Sequence, residues 1–260
     1  MPSVLLRGGA ALARGALAAG VQMVTSYPGS PSSEVVEALV PLAEEHALEV
    51  EWASNERVAL EIGIGVSIAG GRALVCTKSV GMNVMLDPLM ALNLTPLHGG
   101  LVIVLGDDPG GYGSQNDQDT RALAPLLELP MFEPSSPAGA FALIQEAFSL
   151  AERFQLPVIL RETRGFSQVE GWVDVPDGPF QRVNRGCARE PWRFVPVPRN
   201  VVAKHRALHE RLGAFTRWAE ESPPLRTSGA GELGICAAGF AVAKLADVLG
   251  KPARRASGSK

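Results

Sequence analysis

Four short stretches hold residue types whose pattern could do chemistry. YPGSPSSE, residues 27–34, crowds the hydroxyls of Ser30, Ser32 and Ser33 between two prolines and a glycine. Proline fixes φ, so Pro28 and Pro31 predict a rigid loop, and Gly29 allows a backbone to approach a ligand closely. Such a preorganised loop loses little entropy on binding. In SNERVAL, residues 54–60, Glu56 is placed either for proton transfer or as an ordinary acid in the first turn of a helix. TKSVGMN, residues 77–83, sets Thr77, Lys78, Ser79 and Asn83 around Gly81; Lys78 reads equally as a ligand contact or a solvated loop charge. Asp107 and Asp108, followed by SQNDQD at residues 114–119, could hint at a metal. Without further ligands at suitable spacing the pair reads as turn and cap residues at a strand end.

These stretches fall between periodic segments. Apolar or β-branched runs at 21–26, 48–52, 73–78, 100–106 and 157–161 predict strands. Segments 9–19, 34 onward, 55–69, 81–94, 136–154 and 201–221 predict helices, with Ser33 and Ser54 as caps for the second and third. The continuous run GLVIVLG reads as a strand covered on both faces. Strands alternating with helices imply right-handed crossovers and an α/β fold, a doubly wound parallel sheet. In such sheets ligands bind at the carboxyl ends of the strands, where YPGSPSS, ASNE and TKSVGMN should converge. The small residues Ala59, Gly63 and Ser67 allow close packing on the sheet or across a subunit interface, the first being the default.

The chain has 260 residues, is 46% hydrophobic and 20% charged, and carries a net charge of −3. That suits a globular fold with a sizeable core, and no basic run favours nucleic acid. Cys76, Cys187 and Cys236 match no metal or redox spacing, so a reducing, cytoplasmic setting is expected. No apolar run approaches the ~20 residues of a membrane span, and Arg7 and Arg14 interrupt the N-terminal stretch that might otherwise pass for a signal peptide. The division expected is 1–170 as the main domain, 171–228 as a proline-rich linker and covering arm with one helix, and 229–260 as the start of a second, incomplete α/β unit (a short strand, a glycine turn and a helix in GELGICAAGFAVAKLADVLG).

YPGSPSSE, WASNERVALEIGIGVSIAGGRALVCTKSVGMNVMLDPL and GGLVIVLGDDPGGYGSQNDQD together resemble the pyrimidine-binding domain of thiamine-diphosphate-dependent 2-oxoacid:ferredoxin oxidoreductases, most closely the indolepyruvate type, alpha subunit. The resemblance runs over about residues 6–167. It implies oxidative decarboxylation of a 2-oxoacid on thiamine diphosphate, transfer of the product to coenzyme A, and electrons passed through iron–sulfur clusters to ferredoxin. Glu56 matches the glutamate that meets the aminopyrimidine ring, where an acid can share the proton that ring tautomerisation needs, its pKa raised if buried. Tyr27, Pro28, Gly29, Ser79, Gly81 and Asn83 match the cofactor-side loops, and Ser30 the hydroxyl at the substrate cleft. Ser32 and Ser33 read as helix-start residues.

The chain also departs from that pattern. No GDG…N motif for magnesium and diphosphate and no cysteine cluster for a [4Fe–4S] centre, which needs four thiolates, occur in it. Magnesium and the clusters are therefore expected on a partner chain or a missing part. Where pyruvate-using relatives place an arginine after His98, the nearest equivalent is about Val102, which argues for a bulkier arylpyruvate. After Arg161 the expected Thr-Thr-Thr-Arg-x-Ser-His is replaced by ETRGFSQ, so no role carries over there. The expected function is the pyrimidine-binding part of an indolepyruvate or arylpyruvate:ferredoxin oxidoreductase, inactive alone. It would work with a chain carrying the diphosphate-binding domain and with a ferredoxin or iron–sulfur subunit. The alternative is a non-catalytic, truncated remnant kept for assembly.

Overall fold

A computed structural model describes residues 2–111, 113–178, 180–222, 232 and 234–249. Among them the element order is β1 (Ser3–Arg7), α1 (Gly8–Ala18), β2 (Met23–Ser26), α2 (Ser33–Leu39), β3 (Glu49–Trp52), α3 (Glu56–Ile68), β4 (Ala73–Lys78), α4 (Ser79–Leu92) and β5 (Leu101–Asp107). There follow α5 (Leu123–Leu127), β6 (Met131–Phe132), α6 (Pro137–Phe154), β7 (Val158–Thr163), α7 (Arg164–Ser167), β8 (Glu170–Asp174), α8 (Pro191–Phe194), α9 (Pro198–Glu221) and α10 (Phe240–Val248).

Six strands form one parallel sheet in the order β3-β2-β4-β5-β7-β6. Its central strands are the apolar runs of the sequence: all seven residues of β5 are buried, as expected where helices cover both faces. One face packs on α1, α2 and α6, the other on α3, α4 and α5. In α6 the buried residues Ala140, Ile144, Ala147, Phe148 and Ala151 recur at helical spacing, so one stripe meets the sheet. In α3 the stripe is Ala59, Gly63 and Ser67, and it lies on the sheet. The Ser67 hydroxyl donates to Gly99 O at 2.8 Å, and Thr25 Oγ1 donates to Ala59 O at 2.8 Å.

Several expectations are corrected. β1 pairs antiparallel with β8 as a separate two-stranded ribbon, and the short β6 adds a sheet edge; none of these three strands was among those expected. The helix expected at 81–94 starts earlier, at Ser79. Asn55, not Ser54, caps α3: its Oδ1 accepts the Val58 N–H at 2.9 Å. Ser33 caps nothing, because its hydroxyl is turned to Gly29. In the C-terminal stretch, positions 231 and 233 of the expected strand lie outside the described residues and 234–238 form no strand, whereas α10 forms behind Gly239.

The proline-rich segment is a covering arm. Arg185 N–H donates to Gly70 O, His98 Nε2 meets Gly186 O at 2.9 Å, and Arg193 bonds the carbonyls of Pro96 and Leu97. Glu152, largely buried, grips Arg72 and Arg185, each at 2.6 Å. All these anchor points precede strands, so the arm crosses the amino ends of the sheet and leaves the carboxyl ends clear. No helix among the described residues is long and apolar enough to cross a membrane.

Candidate functional site

The strand order supplies what sequence order alone could not. From β2 the chain moves outward to β3, then returns past β2 to β4, so the direction of winding reverses between β2 and β4. The loops leaving these two strands therefore part to opposite faces and open a crevice at their carboxyl ends. Ser26 pairs with both Trp52 and Cys76, and Lys78 pairs with Gly106. The strands end nearly level, which brings the loops after β2, β3, β4 and β5 together.

The 27–33 loop is held by its own hydroxyls. Gly29 N–H donates to Ser33 Oγ at 2.7 Å, Ser32 Oγ donates to Gly29 O at 2.8 Å, and Ser33 N–H donates to the same carbonyl at 3.1 Å. The Ser30–Pro31 peptide is cis. Pro31, Ser32 and Ser33 are buried while Tyr27, Pro28 and Ser30 stand exposed at the rim. No side-chain hydrogen bond engages Ser30 among the described residues. The loop rests on the next one: a β-carbon at Gly29 would lie 3.0 Å from Lys78 Cβ.

Glu56 opens α3 and Gly81 lies in the first turn of α4. Their meeting is the tightest feature of the crevice. A β-carbon at position 81 would stand 2.6 Å from Glu56 Oε1, 2.6 Å from Glu56 Cγ and 2.5 Å from Thr77 Oγ1. Only glycine lets the carboxylate reach over the start of α4. Glu56 is half-buried rather than fully enclosed, and no hydrogen bond from the described residues occupies its carboxylate. Ser79 is buried at the first position of α4, while Asn83 is exposed one turn on.

A fourth wall comes from residues 108–119. Asn83 and Gln118 exchange two hydrogen bonds of 2.9 Å, joining this loop to α4. Lys78 Nζ donates to Gly113 O at 3.0 Å and lies 3.9 Å from Asp108, which accepts from Gly113 N–H and Ser114 Oγ. Lys78 is thus a tie between loops, not a solvated charge. Beneath, buried Asp107 takes Thr120 Oγ1 at 2.7 Å and Arg161 Nε at 2.7 Å, and Arg161 continues to Glu133 at 2.8 Å. The two aspartates fix the loop, as a turn-and-cap reading expects; nothing local in the sequence marks Gln118 or Arg161 as site residues, because their partners lie 35 and 54 positions away.

One residue expected near the substrate does not reach the site. Val102, offered as the counterpart of a substrate-binding arginine, is fully buried near the amino end of β5. It belongs to the core and says nothing of substrate size. Two shallow, partly open depressions lie elsewhere, beside Leu42, His46 and Phe180 and at the amino ends of β2 and β3.

The crevice fits an aminopyrimidine in chemical kind: a carboxylate with no hydrogen bond among the described residues faces a position stripped of side chain, beside a stiff loop with an exposed hydroxyl. Comparison with known proteins runs the same way. The family described as "Pyruvate flavodoxin/ferredoxin oxidoreductase, thiamine diP-bdg" matches residues 14–175. The indolepyruvate oxidoreductase subunit IorA of Pyrococcus abyssi is 35% identical over 254 residues, covering 95% of this chain and 39% of that protein. The same subunit of Methanothermobacter thermautotrophicus is 36% identical over 249 residues, 95% of this chain and 40% of the relative. The chain thus spans about two fifths of the length of these relatives. Among solved structures, a 2-oxoglutarate:ferredoxin oxidoreductase from Magnetococcus marinus superposes with a TM-score of 0.69 at 15% identity, over 83% of this chain and 45% of that one, a likeness of fold.

Proposed function

We infer the function from one premise: the chain belongs to the thiamine-diphosphate-binding family of pyruvate flavodoxin/ferredoxin oxidoreductases. We propose that it supplies the pyrimidine side of the cofactor site in an oxidoreductase acting on indolepyruvate or a related arylpyruvate. The names and 35–36% identity of the IorA relatives support that substrate class. The single observation that carries the reading is the meeting of Glu56 and Gly81 at the mouth of the switch-point crevice.

Thiamine diphosphate, when bound, supplies the electron sink that 2-oxoacid decarboxylation requires. In this proposal Glu56 holds a proton at its carboxylate toward a pyrimidine ring nitrogen. Gly81 keeps the space between them clear, and Ser79 and Asn83 line the same side. Tyr27, Pro28 and Gly29 form a stiff opposing rim, with the Ser30 hydroxyl directed to the 2-oxoacid. An open crevice is what one half of a shared site would present. The diphosphate and its magnesium, and the [4Fe–4S] clusters that lead to ferredoxin, are assigned to a partner chain or further sequence, with coenzyme A accepting the acyl group there. Residues 1–170 would form the pyrimidine-binding unit, 171–228 the arm, and 229–260 the approach to a further α/β unit.

The test is Glu56→Gln in the assembled complex purified from its host, assayed by arylpyruvate- and coenzyme-A-dependent dye reduction. Turnover should fall about 100-fold or more, the scale of a lost acid–base group, with an unchanged melting temperature. Near-normal turnover overturns the assignment.

A further inference from the structure

Away from the crevice, α9 crosses the β6 edge of the sheet and brings two histidines to one carboxylate. His205 and His209 stand at i and i+4, hence on the same helix face. Their Nε2 atoms lie 2.9 Å and 2.6 Å from Glu128 Oε2 and Oε1. One ligand atom from each of the three residues can be chosen so that all lie within 4.8 Å of one another. Two of the chain's four histidines meet here, from an element 77 positions away from the glutamate.

We propose that Glu128, His205 and His209 form a binding site for one divalent transition-metal ion of the zinc class. Two imidazole nitrogens and one carboxylate oxygen are a ligand set that zinc takes at about 2.0–2.2 Å, with remaining positions left to water. Ligand atoms around such an ion stand about 3.3–3.5 Å apart, so small side-chain rotations convert the hydrogen-bonded triad into a coordinated one. Each imidazole binds through a deprotonated Nε2, its proton moving to Nδ1 or to solvent.

Four further observations support the site. Glu128 adopts left-handed backbone geometry, φ 53° and ψ 45°, at the end of α5, an uncommon conformation for a residue other than glycine, Asn or Asp. The two imidazole rings lie 4.3 Å apart, side by side over the same carboxylate. The neighbouring cations are turned away, Lys204 to Arg193 O at 2.6 Å and Arg211 to Asn93 O at 3.0 Å. Leu208, between the two histidines, is fully buried, so the helix face is already seated. The ion would clamp α9 to α5 where the arm leaves the sheet domain.

The experiment is titration of the tag-free full chain with zinc chloride alone, in a Cys187→Ser/Cys236→Ser background because both thiols are exposed and could take zinc. One ion per chain should bind with Kd about 1 μM or tighter, and binding should raise Tm. His205→Ala/His209→Ala should lose about 100-fold or more in affinity. Histidine ring-proton NMR of the unmutated triad needs no folded variant: zinc should shift His205 and His209 and leave His46 and His98 in place. No stoichiometric binding, equal binding by the double variant, or unshifted signals for the pair would each overturn the site.

Discussion

The carboxylate of Glu56 lies over Gly81, with no room between them for a β-carbon. The φ of Gly81 is not positive, and the residue sits inside α4, where alanine is favoured over glycine by about 0.5–1 kcal/mol. Gly81→Ala should still fold, at a net cost of about 1–3 kcal/mol, because the gain in helix propensity only partly offsets the pressure on buried, β-branched Thr77. The methyl would push Glu56 out of its position. Turnover of the assembled complex should fall about tenfold or more, the scale for misplacing a catalytic group. A folded variant with normal turnover would show that the contact is packing alone.

Ser30, Ser32 and Ser33 share one loop but face different ways. Ser32 and Ser33 hold Gly29 through its carbonyl and N–H, whereas the Ser30 hydroxyl is exposed without such a bond. Alanine at Ser32 or Ser33 should each cost about 1 kcal/mol of stability. Ser30→Ala should leave the urea midpoint unchanged and act on KM for the 2-oxoacid. Equal destabilisation by all three would remove Ser30 from the rim of the site.

Arg161 is the counter-charge beneath the 108–119 loop. It is 7% exposed and its partner Asp107 1%, so neither ion has water to fall back on. Arg161→Met leaves Asp107 buried and unpaired, which should cost about 3–5 kcal/mol in urea denaturation. Arg121→Ala breaks the Asp119 pair, which is more than half exposed on both sides, and should cost less than about 1 kcal/mol. Similar losses in the two variants would mean that burial does not set the difference.

Much of this fold is written in local pattern. β4, β5 and β7 are apolar runs bounded by turn residues, and α6 shows its stripe directly. β1 and β8 pair at sequence separations of 163 to 171, and β1 is mostly exposed, so no local period marks them. Ser54 and Asn55 are both good caps; the extended backbone of Asn55, φ −162°, decides which one accepts the Val58 N–H. The residues of the crevice could be picked out as unusual loops at strand ends. Their adjacency could not, because Gly29 meets Lys78, and Glu56 meets Gly81, only once β3 and β4 lie on opposite sides of β2.

Glu162 leads to the last expectation. It sits near the end of β7, 2% exposed, with neither carboxylate oxygen hydrogen-bonded among the described residues. Burial pushes its pKa well above the ordinary 4.5, and Glu34 on α2 adds to the rise. The folded protein keeps this proton to higher pH than the unfolded chain does. The contribution of this group to stability is therefore fully present below about pH 4.5 and is lost as pH rises toward the raised value, by at most about 1.4 kcal/mol per pH unit. Glu162→Gln removes that slope, although a buried amide without partners carries its own pH-independent cost of about 1–3 kcal/mol. The readout is thus the change in urea midpoint between about pH 5 and about pH 8, which should be larger in the parent than in the variant. Parallel pH profiles would mean that Glu162 is ionised in the folded protein and has found a partner there.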